Sequence, residues 1–241
     1  FTNEAAEEMT LRLLVKCGAV DLPVAGLGYC GTLHGFLFRL LVQHGEKIGL
    51  PQNLAVADDQ AVTKMLEAVK EEMGVKATLR KLLPMLSLAS LIDAVQGSSY
   101  GREELVVMEV HSRLRMAGLL TFDLILHYGE KLVVHMAKNG GWQYDSLFVD
   151  EFQDASDADS RIYEAMACNR KFMVGDPDQA LYEFRGGNVA NFVRLSQDPA
   201  WKLFLLETNY RSGIAICGIA NTLINLNENR VKKSIRPAKD Y

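Results

Sequence analysis

The sequence predicts an α/β protein: a parallel sheet with flanking helices, preceded by a long, mostly helical stretch. Three observations predict it. Two strand-length apolar runs, Ser146 to Val149 and Lys171 to Val174, enclose a helix-like segment, Ser160 to Ala167, which is the pattern of a βαβ unit. Both runs end in acids, Asp150-Glu151-Phe152-Gln153-Asp154 and Gly175-Asp176-Pro177-Asp178-Gln179. From Pro51 to about Leu126, apolar residues recur mostly at helical spacing.

Asn3 reads as the N-cap of a first helix over about Glu4 to Lys16. Glu4, Glu7 and Glu8 lie near its positive end, and Leu11, Leu14 and Val15 share one face. Phe1 would then end a strand. The chain opens Phe1-Thr2-Asn3 with no initiator Met and enters this pattern at once, so its beginning reads as cut from a longer polypeptide. The turn-rich Gly26-Leu27-Gly28-Tyr29 leads through Gly31-Thr32-Leu33-His34 to an apolar helix, Phe36 to Gln43, closed before Gly49 and Pro51. Val62, Met65, Leu66 and Val69 mark a further helix. Leu79 to Ile92 is interrupted at Pro84, and Gly97-Ser98-Ser99 marks a loop. After the βαβ unit, an apolar run from Trp201 to Leu206 ends in Glu207-Thr208-Asn209-Tyr210-Arg211-Ser212, and a helix follows over about Gly213 to Leu226.

The chain has 241 residues, 49% of them hydrophobic and 23% charged, enough to bury one sizeable core or two smaller ones. A net charge of -4 gives no overall basic field, so any contact with nucleic acid has to come from local Lys, Arg, amide and aromatic groups. Cys17, Cys30, Cys168 and Cys217 show no C-x-x-C and no paired spacing with His. Neither a zinc site nor a disulfide framework is predicted, and the expected compartment is a reducing cytoplasm. No apolar run approaches the roughly 18 residues of a membrane span, and the first residues lack the pattern of a signal peptide. His44, His111, His127 and His135 have no partner spacing and are assigned no chemistry.

In open parallel sheets, ligands bind beyond the carboxyl ends of strands, so paired acids after the two runs predict a magnesium and nucleotide site. Asp150 fits a ligand of hydrated Mg2+, and Glu151 fits a group that polarises the water attacking a terminal phosphate. The plainer alternative for the Asp-Glu pair is a helix cap. Gln179 is placed to sense the attacking water or the γ-phosphate, and Arg185 to supply positive charge as the transition state develops.

The segments F-V-D-E-F-Q-D (148–154), V-G-D-P-D-Q-A-L-Y-E-F-R-G-G-N (174–188) and L-E-T-N-Y-R-S (206–212) resemble consecutive motifs of the UvrD/Rep/PcrA branch of superfamily 1 DNA helicases. Phe1 to Met9 resembles motif Ia of that family, and Gly31-Thr32-Leu33-His34-Gly35 resembles motif Ib. Thr121-Phe122-Asp123-Leu124 resembles the short D-L segment before the Walker B strand. The resemblance spans the whole chain and is weakest over about Ile48 to Leu119. It implies an incomplete RecA-like P-loop NTPase core with a mostly helical insertion. Residues 1–45 and 121–200 would belong to the first RecA-like domain, 46–120 to the insertion, and 201–241 to the start of the second domain.

The same resemblance implies ATP and Mg2+ as cofactors, and single-stranded DNA and single-strand/duplex junctions as partners, with travel 3′ to 5′. By position, Asp150 is similar to the magnesium-binding Walker B aspartate and Glu151 to the catalytic base. Gln179 and Arg185 resemble the groups connecting the γ-phosphate with the DNA groove. Tyr210 resembles the tyrosine that stacks on adenine, and Arg211 the arginine that reaches the γ-phosphate. On the DNA side, Phe1, Thr2 and Asn3 resemble motif Ia contacts, Thr32 and His34 motif Ib contacts, and Tyr182 and Phe184 the aromatic pair of motif III. Phe184 departs from the tryptophan common there. A base stacked on an aromatic ring is worth about 1–3 kcal/mol regardless of sequence, which suits a translocating motor.

No G-x-x-x-x-G-K-[ST] loop occurs in the 241 residues, so the backbone cradle for phosphate is missing from them. The chain alone is therefore expected neither to hydrolyse ATP nor to unwind DNA, and a sheet lacking the P-loop strand is expected to bare a face or an edge. Two other readings stand beside the helicase. One is a non-catalytic module that binds single-stranded DNA or a partner protein. The other is a magnesium nuclease using Asp150 and Asp176, which leaves Gln179, Tyr210 and Arg211 without a role.

Overall fold

A computed structural model describes residues 3–20, 28–87, 100–140, 144–180, 187–227 and 230–238. Phe1, Thr2, the Gly97-Ser98-Ser99 loop, Tyr182, Phe184 and Arg185 lie outside these. The chain divides into two units, Phe1–Trp142 and Gln143–Tyr241. The architecture is mixed α/β, with many helices, and each of the three described strand pairs is parallel.

In the first unit, α1 (Asn3–Ala19) contains the expected helix and runs three residues past Lys16. Its Leu11, Leu14 and Val15 face is exposed. Helix α2 (Leu33–His44) begins where Thr32, in extended backbone, accepts a hydrogen bond from the Gly35 N–H at 3.2 Å, satisfying one of the free donors of the first turn. It buries Phe36, Leu37, Leu40 and Leu41. Strand β1 (Ala55–Val56) follows, then α3 (Asp59–Glu72), which buries Val62, Leu66 and Val69 at the spacing read from the sequence. Helix α4 (Leu79–Leu82) passes into a 3₁₀ turn, Leu83–Ser87, at the expected Pro84, whose missing N–H cannot continue the helix. Helix α5 (Arg102–Met116) packs on α3 and buries Val106, Val107, Val110 and Leu114. His111 on α5 is buried with Nε2 3.0 Å from the Leu86 carbonyl, a packing role.

Strand β2 (Leu119–Leu120) pairs with β1 in the register Ala55↔Leu119, Val56↔Leu120. This pair was not foreseen in a region read as mostly helical. Gly118 makes it possible: its φ is +71°, and a Cβ there would stand 2.1 Å from the Asn53 carbonyl oxygen. Helix α6 (Phe122–Lys138) starts at Thr121, which accepts from the Leu124 N–H. It packs on α2, and Gly129 sets the approach, since a Cβ at that position would meet Leu37 at 2.9 Å. Among the described residues no helix is long and apolar enough to cross a membrane.

The second unit holds the βαβ pattern. Strands β3 (Tyr144–Val149) and β4 (Cys168–Met173) run parallel, with α7 (Asp157–Ala165) between them in sequence. Ser156 and Asp159 form a reciprocal cap at the start of α7. Alternation along the strands separates two faces. Leu147, Val149 and Met173 join Phe152, Ala155, Tyr163, Phe192, Leu195 and Trp201 in one cluster, part of it from α8 (Val189–Gln197). Full burial of Phe152 contributes about 1.5–3 kcal/mol. The opposite face carries Phe148 and Phe172, paired in register and stacked with centroids 4.8 Å apart, yet 71% and 47% exposed.

The apolar run from Trp201 to Leu206 forms no strand. Pairing begins only at β5 (Thr208–Asn209), which meets β6 (Arg236–Pro237). Helix α9 (Ile214–Ile224) matches the expected final helix, but Cys217 is its buried residue while Ile214, Ile216, Ile219 and Leu223 are exposed.

Candidate active site

Asp150 and Glu151 emerge from the carboxyl end of β3, where the apolar run stops. The parallel ladder extends one step beyond the strands: the Val174 N–H donates to the Val149 carbonyl at 2.8 Å, and the Phe152 N–H to the Val174 carbonyl at 2.9 Å. Both acid-bearing loops therefore leave the sheet side by side. The exposed Asp150 accepts the Glu151 N–H through Oδ1 at 3.0 Å.

Glu151 has φ 52° and ψ 40°, the left-handed region, and is the non-glycine residue with positive φ among the described residues. A residue held there costs on the order of 1–3 kcal/mol and persists where its surroundings over-determine it. The surroundings are visible in Gln153, which is 3% exposed. Its Nε2 donates to Glu151 Oε2 at 2.7 Å, and its Oε1 accepts the Asp176 N–H at 3.0 Å. One buried amide thus joins the loop after β3 to the loop after β4. Gly175 gives it room, because a Cβ at 175 would stand 2.3 Å from Gln153 Oε1. Beside this bridge, burial and the Glu151 charge push the Asp154 carboxyl above its ordinary pKa.

The second loop closes as a short 3₁₀ turn, Pro177–Gln179, after Asp176. Asp176 Oδ1 accepts from the Asp178 N–H at 3.0 Å, and Oδ2 accepts from Gln179 Nε2 at 2.8 Å. Lys233 pairs with Oδ1 as well. Burial would raise the Asp176 pKa, yet the Lys233 ammonium and the Gln179 amide together hold it below the usual carboxylate range. Gln179 is exposed, with its amide anchored at one end.

Asp150, Glu151 and Gln179 are therefore brought together in adjoining loops through Gln153 and Asp176. Tyr210 and Arg211 are presented separately. Asn209 Oδ1 accepts the N–H groups of Arg211 and Ser212, each at 2.8 Å, and this turn leaves Tyr210 85% exposed and Arg211 exposed. Thr32 caps α2, and the His34 ring meets Phe122 edge-on at 5.4 Å. Asn3 lies in α1.

Gln153 received no role from the sequence alone; the signal available was an amide two residues after a candidate base. Arg230 and Lys233, which reach the second loop from more than fifty positions away, left no local signal. No group of three His, Cys, Asp or Glu among the described residues could hold a metal by itself. Magnesium is commonly held by one or two carboxylates with waters and phosphates completing its shell, so the exposed Asp150 carboxylate fits that mode of binding.

The UvrD/REP helicase N-terminal domain family matches residues 1–200 of the chain. The ATP-dependent DNA helicase PcrA of Leuconostoc citreum is 31% identical over 98% of this chain and 33% of its own length. DNA helicase II of Escherichia coli (strain K12) is 28% identical over 98% of the chain and 34% of its own length. PcrA of Bacillus subtilis (strain 168) is 28% identical over 100% and 34%. The chain spans about a third of the length of the curated relatives it matches. With acids at the ends of parallel strands, a bridging glutamine between them and a match over residues 1–200, the chain belongs to the UvrD/REP helicase N-terminal domain family.

Proposed function

We propose that the protein containing this chain is an ATP-dependent DNA helicase that moves 3′ to 5′ along single-stranded DNA. Residues 1–45 and 121–200 would contribute to a first RecA-like domain, 46–120 would form a helical insertion, and 201–241 would open a second RecA-like domain. The observation that carries this reading is the bonded group Glu151, Gln153, Asp176 and Gln179. In it Glu151 and Gln179 sit on adjoining strand-end loops with a buried link between them, which supports the roles of base and phosphate sensor.

Asp150 would hold Mg2+ through its exposed carboxylate. Magnesium, when bound, draws charge from the terminal phosphates. Glu151 accepts the proton of the attacking water, and the Gln153 amide fixes which of its oxygens faces away from the loop. Gln179, with Arg185 and Arg211, turns the state of the γ-phosphate into a signal for the DNA groove. Tyr210 offers an exposed ring on which adenine can stack. Phe1, Thr2, Asn3, Thr32, His34, Tyr182 and Phe184 would each contact single-stranded DNA. While its oxygen accepts from Gly35, the Thr32 hydroxyl keeps a proton to donate to a phosphate. The 241 residues alone, without a P-loop sequence, are expected to release no phosphate above background.

Direction is the sharpest test. The full-length protein with ATP and Mg2+ is expected to unwind a duplex carrying a 3′ single-stranded tail and to leave the same duplex with a 5′ tail intact. Preference for the 5′ tail would overturn the direction, and failure on both would overturn the activity.

A further inference from the structure

We propose that Arg230 and Lys233 are positioning residues for the hydrolysis proposed above: they clamp the Asp176–Gln179 turn, and with it the Gln179 amide, from the segment that opens the second motor domain. The inference rests on the helicase reading and adds residues that the motifs do not include.

Three ion pairs make the clamp. Arg230 Nη2 lies 3.0 Å from Asp178 Oδ2, with the two side chains 6% and 1% exposed. Lys233 Nζ lies 3.4 Å from the same Asp178 oxygen and also pairs with Asp176 Oδ1. Arg230 is itself anchored, its Nη1 donating to Asn225 Oδ1 at 3.0 Å at the end of α9 and its Nη2 to the Lys233 carbonyl at 3.3 Å. The bases thus move with α9 and β6, whereas the acids belong to the turn after β4.

The pairing is not the one that best satisfies its atoms. A fork of two parallel bonds is the favourable arginine–carboxylate geometry. Here Asp178 Oδ1 and Arg230 Nε are both buried with no hydrogen-bond partner among the described residues. Buried ion pairs of this kind add little net stability compared with apolar packing, while loss of one partner is strongly unfavourable. What they do is fix geometry. With Asp176 Oδ1 taken by Lys233 and Oδ2 by Gln179, the position of Lys233 sets the carboxylate plane and so the direction of the Gln179 amide. The Asp176 N–H continues the connection through Gln153 to Glu151. A shift of the α9–β6 segment is thereby transmitted to the sensor first and to the candidate base second.

The test uses Lys233→Met, which leaves Asp178 paired with Arg230, and Lys233→Arg, which keeps the charge. In the full-length protein, Lys233→Met is expected to lower DNA-stimulated kcat for ATP hydrolysis about tenfold, with KM for ATP changed less than about twofold, and Lys233→Arg to recover at least half of the loss. In the same full-length protein, hydrogen exchange at the Asp178 and Gln179 amides is expected to quicken about tenfold in Lys233→Met with the rest of β3 and β4 unchanged. Unchanged exchange at the turn would overturn the clamp. An unchanged kcat with quickened exchange would overturn its part in hydrolysis. If the wild-type protein shows no DNA-stimulated hydrolysis at all, the helicase reading fails instead, and the exchange result still decides whether Lys233 holds the turn.

Discussion

Glu151→Gln is expected to lower single-strand-stimulated ATP hydrolysis by the full-length protein about 10²–10⁴-fold, the span ordinarily lost with a general base. Binding of ATP and of single-stranded DNA should stay within about twofold. The substitution is nearly isosteric, and a glutamine at 151 still accepts from Gln153 Nε2 through its carbonyl oxygen, so the loop after β3 keeps its shape. What disappears is the carboxylate able to take a proton. Phosphate release against DNA concentration reads the loss, and a DNA-binding titration on the same preparation shows that the groove survives. Activity within a factor of three of wild type would remove Glu151 from the base's role; the plainer reading of the Asp-Glu pair as a helix cap is already closed, because Ser156 and Asp159 cap α7 and Glu151 makes no side-chain cap bond.

The second large effect belongs to Gln153. Gln153→Leu keeps volume in a site that is 3% exposed but deletes both hydrogen bonds. The partly buried Asp176 N–H loses its acceptor, and a donor left unpaired costs at most about 1–3 kcal/mol where water cannot replace the bond. Glu151 loses the partner that holds its carboxylate while its backbone stays in the left-handed region. The expected outcome is a thermal midpoint lowered by several degrees, consistent with that loss. A fall in kcat of about a hundredfold should accompany it, the scale on which small misplacements of a reacting group act. Heating monitored by circular dichroism and steady-state hydrolysis measure the two separately. A stability loss without any loss of kcat would make Gln153 a packing residue only.

The strand–helix–strand unit and its two acid-tipped loops were legible because each signal is local. Apolar runs of strand length, a helical segment between them and acids at both ends all lie within one stretch of chain, and the parallel register matches them. Helices α2 and α3 were legible for the same reason, as period-3.6 patterns with polar caps. The β1–β2 pair was not, because two-residue strands carry no periodicity and their partners are separated by α3, α4 and α5. The clamp from Arg230 and Lys233 escaped for a related reason: ion pairing leaves no trace in spacing when the partners meet only in the folded chain. Gln153 was in view throughout as part of the acidic motif, but only burial distinguishes an amide that bridges two loops from one that faces water.

On the proposed role of Glu151 as base, its left-handed backbone sets stability and activity against each other at a single codon. Glycine adopts that conformation without strain, and asparagine with little, so either would relax the turn while removing the carboxylate. Selection for heat resistance alone would drift toward those two residues and, on the proposed role, lose hydrolysis as stability rose. Thermostabilising libraries of this protein therefore need position 151 held fixed.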